Sequence, residues 1–422
     1  MNPKKNTKAN RTLAWLCAVA VLVTTVMQLV SAQPTAAYAA GTGGIKGNIL
    51  PAGYVTERQM KLANPWSGTN EYPLFNVMRK AQSGQRVTIA FIGGSITKGT
   101  MSTGTRDSSM NKKLTYVDYF TDWWYKTFPR ADLRFVNAGI SATDSYLGVH
   151  RVQKDVLDKE PDLVVVEFAV NDKKTAYHKQ SYENLIRKIL DSPTKPAVML
   201  LFMAKLNGWS CQLQQSQIGK HYNLPMLSYG NVMMDMINQG IYTREELSGD
   251  AIHPSALGYA VVGEILVRYL NSVQEKSLGQ VLSKKTPTKY VTSKKYGSAK
   301  VLTCKDIKIQ RMGTFEESSK SNIFKNNLTT ASGDGGLTFT VTGKTIGLVF
   351  AQQVNGRGGQ FDVYVDGKKT ATIDADNSAG RHSKPGSVPC YSSSTKKTHT
   401  VRIVRNKKSS GRALTLFAVL VS

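Results

Sequence analysis

The amino-acid sequence predicts a three-layer α/β domain built on a parallel sheet, followed by an antiparallel β-sandwich domain. Between residues 72 and 272, short and almost continuously apolar runs alternate with longer amphipathic segments, which is typical of a parallel sheet covered on both faces by helices. Beyond residue 300, short alternating runs are separated by Gly, Asn, Asp and Ser, as in an antiparallel sandwich. The 422 residues, 41% of them hydrophobic, suffice for two such domains.

The first forty residues have the parts of a secretory signal peptide. Four basic residues precede an apolar run over residues 13–30, and a small-residue site, Ala37-Tyr38-Ala39, follows it. The apolar run is also long enough to remain as an uncleaved membrane anchor. We therefore expect an exported, extracellular and cell-wall-associated protein, with membrane contact only where this segment is uncleaved.

Five apolar runs predict the strands of the first domain: Val87–Ile92, Leu133–Asn137, Leu163–Phe168, Ala197–Met203 and Pro225–Ser228. Five amphipathic segments predict its helices: Tyr116–Phe128, Tyr146–Leu157, Tyr182–Leu190, Gln212–His221 and Ala256–Leu270. These elements and the changes in composition divide the chain into a signal peptide (1–40), an N-terminal lead-in (41–84), an α/β domain (85–272), a basic linker or long excursion (273–300) and a β-sandwich (301–422).

Five further runs predict strands of the second domain: Leu337–Val341, Thr345–Phe350, Phe361–Val365, Thr398–Val404 and Ala413–Val421. Asp366-Gly367 follows the third of these runs and is a strong signal for a tight hairpin turn.

Positive charge is concentrated toward the C-terminus. The chain has 55 basic and 29 acidic residues, and residues 271–422 alone carry 25 basic and 9 acidic ones. In an exported protein, such a charge favours contact with anionic wall polymers or polysaccharides, and the export signal argues against nucleic acid as a partner. Lysines that merely keep a secreted protein soluble are the alternative.

Four cysteines in a chain of this length exclude a disulfide scaffold and a multi-cysteine metal array. Cys304 and Cys390 both lie in the second domain and would be free to pair in an exported protein, leaving Cys211 unpaired. The three cysteines allow three pairings, and their spacing does not select one.

Candidate chemical groups lie at the carboxyl ends of the predicted strands. The first strand leads into Gly93-Gly94-Ser95, where two glycines allow a tight turn and the close approach of another group. Open α/β sheets bind ligands at this edge, so Ser95 is a candidate nucleophile. Gly139 and Asn171 follow the next two strands, and their amide groups can donate to a developing oxyanion. Taken singly, each motif also fits an ordinary turn.

A candidate acid–base pair precedes the last helix of the first domain. Asp250 lies three residues before His253, so its carboxylate can accept from Nδ1–H and leave Nε2 free as a base. Pro254 suits the first position of the helix that follows. The chain order Ser…Asp…His, together with two candidate donors in the same domain, indicates a serine hydrolase.

With these residues the sequence resembles the SGNH hydrolases, also called the GDSL esterases. Their four blocks occur in order over roughly residues 85–272: Gly-Gly-Ser with Ser95, the glycine Gly139, Asn171-Asp172, and Asp250-x-x-His253-Pro254. Two positions depart from the pattern. Gly94 replaces the usual Asp, a variant associated with some bacterial carbohydrate-active members, and Ala169 replaces the glycine of the third block.

The resemblance implies a flavodoxin-like parallel sheet and an acyl-enzyme mechanism. Ser95 would attack an ester carbonyl, His253 would take its proton, and Asp250 would stabilise the imidazolium. The N–H groups of Ser95 and Gly139 and the side chain of Asn171 would form the oxyanion hole. The family needs no metal or other cofactor. Three other histidines lack paired ligand spacing: His150, His178 and His221.

We expect an exported esterase that removes small acyl groups, acetyl above all, from a carbohydrate or polysaccharide. The export signal, the Gly-Gly-Ser variant and a sandwich domain of the kind that accompanies some carbohydrate esterases favour a glycan over a lipid. A lipid esterase or lysophospholipase, and a wall-polymer O-acyltransferase, remain alternatives on the same scaffold. A non-catalytic, basic wall-binding protein is the alternative of a different class.

Three tryptophans are candidates for a sugar-contacting rim: Trp123, Trp124 and Trp209. Trp123 and Trp124 are adjacent on a predicted helix and face different directions, so at least one of them belongs to the core.

Overall fold

The computed structural model describes residues 50–422 except 67, 111–112, 320, 322, 332–334, 355, 379, 381–382 and 410. The expected signal peptide, residues 1–40, lies outside the described residues. Among the residues described, no helix combines the length and the apolar character needed to cross a membrane.

The first domain is a five-stranded parallel sheet with the strand order β2-β1-β3-β4-β5. Its strands are Arg86–Gly93 (β1), Asp132–Gly139 (β2), Leu163–Glu167 (β3), Ala197–Phe202 (β4) and Met226–Ser228 (β5). This order is that of flavodoxin-like doubly wound sheets, in which ligands bind at the carboxyl edge near the point where the order reverses. The predicted fold class is confirmed, and each predicted strand is present.

Helices cover both faces of the parallel sheet. They are Glu57–Ala63 (α1), Tyr72–Gln82 (α2), Ser95–Lys98 (α3), Tyr116–Thr127 (α4), Ser145–Asp155 (α5), Ala176–Leu190 (α6), Gln212–His221 (α7), Tyr229–Asn238 (α8), Arg244–Leu247 (α9) and Ala256–Gln274 (α10). Helices α2, α4, α8 and α10 share one apolar core with the sheet, and α5, α6 and α7 share the core on its other face. The three layers therefore enclose two hydrophobic cores, one on each side of the sheet.

Helix caps fix where the helices near the carboxyl edge begin. The Asp144 side chain accepts from Leu147 N–H at the start of α5, and the Ser255 side chain accepts from Gly258 N–H at the start of α10. Pro254 therefore precedes the cap of α10 and does not occupy the first helical position that the sequence suggested.

Residues 275–299 follow the surface of the first domain and are held to it by hydrogen bonds. The carbonyl of Leu282 accepts from the N–H groups of Glu71 and Tyr72 at 3.0 and 3.2 Å. The Glu183 carboxylate accepts from Thr292 N–H at 2.7 Å, and the Asn184 side chain donates to the Ser293 carbonyl at 2.8 Å. This segment is thus a long excursion attached to α6 and to the region before α2.

The second domain is a nine-stranded antiparallel sheet. Its strands are Lys300–Leu302 (β6), Lys308–Arg311 (β7), Glu316–Ser318 (β8), Asn327–Thr330 (β9), Leu337–Gln352 (β10), Gln360–Val365 (β11), Lys368–Asp374 (β12), Lys384–Arg405 (β13) and Leu414–Val421 (β14). The inward-facing side chains of β10, β11, β13 and β14 enclose one apolar core, which gives the expected sandwich.

The first two strands predicted for this domain form one long strand. β10 runs through both of them, and its register against β13 shifts between Gly343 and Thr345. Such irregularities bend a strand without ending it. Asp366 and Gly367 form the predicted tight turn between β11 and β12, and their φ angles of 50° and 81° are those of a primed hairpin turn.

The two domains pack directly against each other. Val349 of β10 and Leu420 of β14 belong to the same apolar core as Tyr146 of α5. Gly347 of β10 lies so close that a Cβ placed on it would stand 2.1 Å from the Tyr146 hydroxyl oxygen. The second domain therefore completes the core beneath α5.

The three cysteines within the described residues are buried free thiols. Cys304 Sγ lies 3.6 Å from the Leu416 carbonyl, and Cys390 Sγ lies 3.7 Å from the Val388 carbonyl. The pairing of Cys304 with Cys390, which the sequence left open, is not formed, and each thiol packs in the apolar core of the second domain against a backbone carbonyl.

Candidate active site

Ser95 lies on a tight turn between β1 and α3. Ser95 is 7% exposed and is the first residue of the four-residue helix α3, directly after Gly94. A Cβ on Gly93 would stand 2.0 Å from Thr97 Oγ1 and 2.6 Å from the Glu167 carbonyl oxygen. Only glycine fits at position 93, which is why the chain can turn from the strand into the helix at this point.

The hydroxyl of Ser95, the imidazole of His253 and the carboxylate of Asp250 form two consecutive hydrogen bonds at the carboxyl edge of the sheet. Ser95 Oγ lies 2.8 Å from His253 Nε2, and His253 Nδ1 lies 2.6 Å from Asp250 Oδ2. The structure thus brings Ser95 to an Asp–His pair that lies more than 150 positions later in the chain. The distances are those of direct hydrogen bonds, and the order is that of a nucleophile, a base and an orienting acid.

The Asp250 carboxylate is held ionised by its own loop. Its Oδ1 accepts from the backbone N–H groups of His253 and Ile252, at 2.7 and 3.0 Å. Burial raises the pKa of Asp250, but the hydrogen bonds from the His253 ring and from the two backbone N–H groups outweigh it and leave the pKa below its usual value. Ala251 adopts a left-handed φ of 68°, which lets the loop turn back on the carboxylate.

The loop after α3 holds the loop of Asp250 and His253 in place. Ser102 Oγ donates to the His253 carbonyl and accepts from Gly249 N–H at 2.9 Å. Ser102 N–H also donates to the Pro254 carbonyl at 3.1 Å. Ser102 could not be recognised from the sequence, because its partners come from a segment about 150 residues away.

Asn171 lies beside the turn that carries Ser95. A Cβ on Gly94 would stand 2.3 Å from Asn171 Oδ1 and 3.0 Å from Asn171 Nδ2. The absence of a side chain at Gly94 therefore leaves room for the carboxamide next to the candidate nucleophile. This placement suits Asn171 as a donor to an oxyanion formed at Ser95.

Gly139 allows two elements to pack closely, and its backbone N–H already forms a hydrogen bond within the protein. A Cβ on Gly139 would stand 2.3 Å from the Lys98 backbone nitrogen, so this glycine lets β2 approach α3. Its N–H donates to Asn137 Oδ1 at 2.9 Å. The predicted donation from Gly139 to an oxyanion would therefore require the loss of that hydrogen bond.

Ala142 gives the loop after β2 an unusual backbone conformation. The loop is fixed at both ends, because Ile140 N–H donates to the Gly93 carbonyl and Ser145 N–H donates to Asp172 Oδ1. Ala142 is exposed and has a left-handed φ of 60°, an uncommon conformation for a residue with a Cβ. The sequence analysis missed this residue, because an alanine carries no composition signal for that conformation.

Two buried titratable residues, Arg151 and Glu167, support the turn that carries Ser95. Arg151 donates to the carbonyls of Gly93 and Ala138, at 3.1 and 2.7 Å. Glu167 accepts from Thr97 Oγ1 at 3.3 Å. Burial raises the pKa of Glu167 to about 8, against the opposing effect of hydrogen bonds from Thr97 and from the N–H groups of Ala169 and Gly94. A charged residue inside the apolar run LVVVEF was the available sequence signal.

Asp172 supports the site from within the core. Its carboxylate accepts from Ser145 N–H and from Gln215 Nε2, both at 2.8 Å. Burial raises the pKa of Asp172 to about 7, while the nearby His178 acts in the opposite direction. The residue therefore joins the loop after β2 to α7 and does not face the candidate nucleophile.

The tryptophan predictions are partly wrong. Trp123 and Trp124 are both buried in the core of the first domain, where they pack edge to face with ring centroids 5.4 Å apart. Trp209 is half-buried in the loop after β4. That loop touches the catalytic edge, because Leu206 N–H donates to the Ala251 carbonyl at 3.0 Å. In the part of the chain that the structure describes, no three His, Cys, Asp or Glu side chains are grouped to hold a metal ion.

The matches to known proteins agree with this architecture. The model of the GDSL-like lipase/acylhydrolase family matches residues 91–261. A two-domain esterase active on acetylated mannans, crystallised with mannopentaose, is 28% identical and superposes with a TM-score of 0.77 over 86% of this chain and 97% of that one. A second structure of a two-domain esterase active on acetylated mannans is 28% identical and superposes with a TM-score of 0.78 over 86% of this chain and 98% of that one. No curated relative gives a significant match.

The fold and the matches define an α/β esterase with a second, antiparallel β domain. Residues 91–261 match the model of this family, so the first domain is a GDSL/SGNH-type acylhydrolase domain.

Proposed function

We propose that this esterase removes small acyl groups, principally acetyl, from a carbohydrate by an acyl-enzyme mechanism. The observation that carries the proposal is the contact of Ser95 Oγ with His253 Nε2 at 2.8 Å, continued from His253 Nδ1 to Asp250 at 2.6 Å. A serine hydroxyl becomes a nucleophile when an adjacent base accepts its proton.

In the proposed first step, Ser95 Oγ attacks the ester carbonyl while His253 Nε2 takes the hydroxyl proton. The ionised Asp250 holds Nδ1–H and stabilises the imidazolium that forms. His253 then gives the proton to the departing sugar oxygen, which leaves an acyl group on Ser95. Water attacks this acyl-enzyme with His253 as base, and the acid and free serine are released.

The developing oxyanion needs hydrogen-bond donors that are already in place. Ser95 is the first residue of α3, so its N–H has no partner within the helix. The Asn171 carboxamide lies against Gly94 and supplies the second donor. The Gly139 N–H, the third donor that the sequence suggests, would have to give up its 2.9 Å hydrogen bond to Asn137 Oδ1 in order to take part.

Two observations support a carbohydrate ester as the substrate. The structural relative, which resembles this chain over both domains, is described as active on acetylated mannans. Trp209 also lies, half-buried, in a loop bonded to the Asp250–His253 segment, where an indole ring can pack on a sugar face. Acetyl is the small acyl group named for that relative.

Acetate release from a panel of acetylated polysaccharides tests the proposal. We expect release by the wild type and a loss of at least about 1000-fold for Ser95→Ala and for His253→Ala. Ser394→Ala and His221→Ala are the matched controls, since both residues lie outside the site, and they should retain wild-type rates.

Three outcomes would replace this function with another. Rates that rise from acetyl to octanoyl esters would favour a lipid esterase, and transfer to an added glycan in preference to water would favour an acyltransferase. Binding of the glycan without turnover, unchanged in Ser95→Ala, would indicate a non-catalytic wall-binding protein.

We further propose that the protein is exported. The support is the arrangement of basic residues, apolar run and Ala37-Tyr38-Ala39 site within residues 1–40. Fractionation of the producing cell, followed by N-terminal sequencing of the mature chain, tests this point. A start just after Ala39 supports cleavage, and an intact N-terminus in the membrane fraction supports an anchor.

A further inference from the structure

One face of the second domain's sheet carries hydroxyl and cationic groups in place of apolar side chains. Leu337, Phe339 and Val341 of β10 are buried in the core of this domain. Because successive side chains of a strand point to opposite faces, Thr338 and Thr340 lie on the other face of the sheet.

Three of the four residues that pair with these two threonines on the neighbouring strands are cations. Thr338 pairs with Arg402 of β13 on one side and with Arg311 of β7 on the other. Thr340 pairs in the same way with Thr400 and with Lys308. We call this set the threonine–arginine face: Lys308, Arg311, Thr338, Thr340, Thr400 and Arg402.

The face extends over three adjacent strands, β7, β10 and β13. Neighbouring strands lie about 4.8 Å apart, so the backbones that carry Arg311 and Arg402 are separated by about 10 Å. Both arginines stand opposite Thr338, which puts a hydroxyl group between two guanidinium groups. The result is a row of donors across the sheet.

The cations of this face have no acidic partner among the residues that the structure describes. Lys308, Arg311 and Arg402 are exposed, and none of the three forms a salt bridge with a residue that the structure describes. The neighbouring carboxylates have other partners: Asp362 pairs with Lys369 at 2.8 Å, and Asp366 contacts His399 at 2.8 Å. The face therefore keeps a net positive charge of its own.

The chemistry of the face matches a linear anionic polysaccharide. Guanidinium groups bind carboxylates and phosphates with paired hydrogen bonds, and threonine hydroxyls both donate to and accept from sugar hydroxyls. A row of cations and hydroxyl groups across three strands suits an extended chain that presents its anionic groups at regular intervals.

A lipid surface fits less well. The exposed large apolar side chains among the described residues are all outside the second domain: Tyr72, Leu213, Ile241, Ile252, Leu278, Leu282 and Val291. The described part of the second domain therefore offers none of the large exposed apolar side chains that insert between lipid headgroups.

We propose that the threonine–arginine face binds a linear polysaccharide bearing carboxylate or phosphate groups, at a place distinct from the ester-hydrolysing site. Binding there would hold the enzyme on an anionic matrix. Hydrolysis of a small soluble ester would not require it, since no residue of the face belongs to the candidate active site.

Binding of the full chain to polygalacturonate, measured by affinity electrophoresis or calorimetry at two salt concentrations, tests the proposal. Lys308→Gln, Arg311→Gln and Arg402→Gln are combined in one variant. The control variant combines Lys61→Gln, Lys154→Gln and Lys220→Gln, which removes the same charge from exposed positions of the first domain. Neutral mannan, phosphatidylglycerol vesicles and duplex DNA are the other ligands.

We expect the wild type to bind polygalacturonate more tightly than neutral mannan, and more weakly as salt rises. The face variant should bind it about tenfold more weakly, while the control variant changes by less than about twofold. Hydrolysis of a soluble acetyl ester should be the same in all three proteins, which shows that each is folded and that the proposed esterase function is tested separately.

Equal weakening in both variants would overturn the proposal, because the binding would then follow net charge and not this face. Tighter binding to vesicles or DNA than to polygalacturonate would overturn the choice of partner. Undiminished binding of the face variant would show that the polysaccharide is held elsewhere.

Discussion

The Asn171 carboxamide occupies the space that a side chain at position 94 would need. A Cβ on Gly94 would stand 2.3 Å from Asn171 Oδ1, closer than non-bonded atoms approach, while Gly94 itself directly precedes Ser95. Close packing thus links the residue before the proposed nucleophile to a proposed oxyanion donor.

We expect Gly94→Ala to lower kcat by about 100- to 1000-fold, the usual cost of losing one oxyanion donor, because the new methyl group must displace Asn171. Steady-state kinetics on a small acetyl ester, with circular dichroism to verify folding, provide the measurement. Gly279→Ala is the matched control, since a Cβ there would meet nothing within 4 Å, and it should behave as the wild type. A Gly94→Ala enzyme with full kcat would show that Asn171 is not needed in its present position.

Asp250→Asn should lower kcat by about 10,000-fold and leave KM nearly unchanged. The amide can donate to Nδ1 and so favour the wrong tautomer of His253, whose Nδ1 lies 2.6 Å from the carboxylate in the wild type. Glu275→Gln removes one exposed carboxylate outside the site and serves as the control. A modest loss in Asp250→Asn, comparable to that in the control, would exclude Asp250 as the group that orients the base.

The sequence predicted those parts of the site that depend on strand ends or on short spacing. Ser95 and Asn171 follow apolar strands, and Asp250 lies three residues from His253, so topology and chain length alone bring these groups to one edge. The strand and helix positions of the first domain could be predicted for the same reason, since periodicity is a local property.

The parts that the sequence did not predict depend on contacts between distant side chains. Whether the amide of Gly139 is free depends on the rotamer of Asn137, and Ser102 gains its role only by meeting residues 249–254. The free state of Cys304 and Cys390 likewise follows from where each thiol packs in the second domain. No spacing rule reports such contacts.

The buried Glu167 should make the protein less stable as the pH rises. Its pKa in the folded chain is about 8, above the value of 4.5 for an exposed glutamate, so the folded state binds a proton that the unfolded state has released between these values. The contribution of this carboxyl group to the free energy of unfolding is therefore at its full value below about pH 4.5, and it decreases as the pH rises toward 8. Burial raises the pKa of Asp172 to about 7 and adds a slope of the same sign.

Glu167→Gln isolates the contribution of Glu167, because glutamine has the same shape and does not titrate. We expect urea denaturation to show that the variant gains at least about 1 kcal/mol relative to the wild type on going from pH 5 to pH 9. Glu160→Gln, an exposed glutamate, should show no such change and is the control. A difference between Glu167→Gln and the wild type that stays constant over this range would contradict a shifted carboxyl.

The contact between Gly347 and Tyr146 should determine how firmly the two domains are joined. A Cβ on Gly347 would stand 2.1 Å from the Tyr146 hydroxyl oxygen and 2.8 Å from the Val388 carbonyl, so Gly347→Ala should destabilise the protein by about 1–3 kcal/mol through overpacking. Tyr146→Phe alone should cost little, since the Tyr146 hydroxyl has no hydrogen-bond partner among the described residues.

A double-mutant cycle tests this relationship in full. Removing the hydroxyl removes the nearest of the two clashes, so Gly347→Ala with Tyr146→Phe should recover part of the stability lost in Gly347→Ala, with the remainder due to Val388. Chemical denaturation of the four proteins gives the interaction free energy, which we expect to be at least about 0.5 kcal/mol. Additive effects of the two substitutions would mean that β10 can move away from α5 without cost, and that the second domain is held to the first by its other contacts.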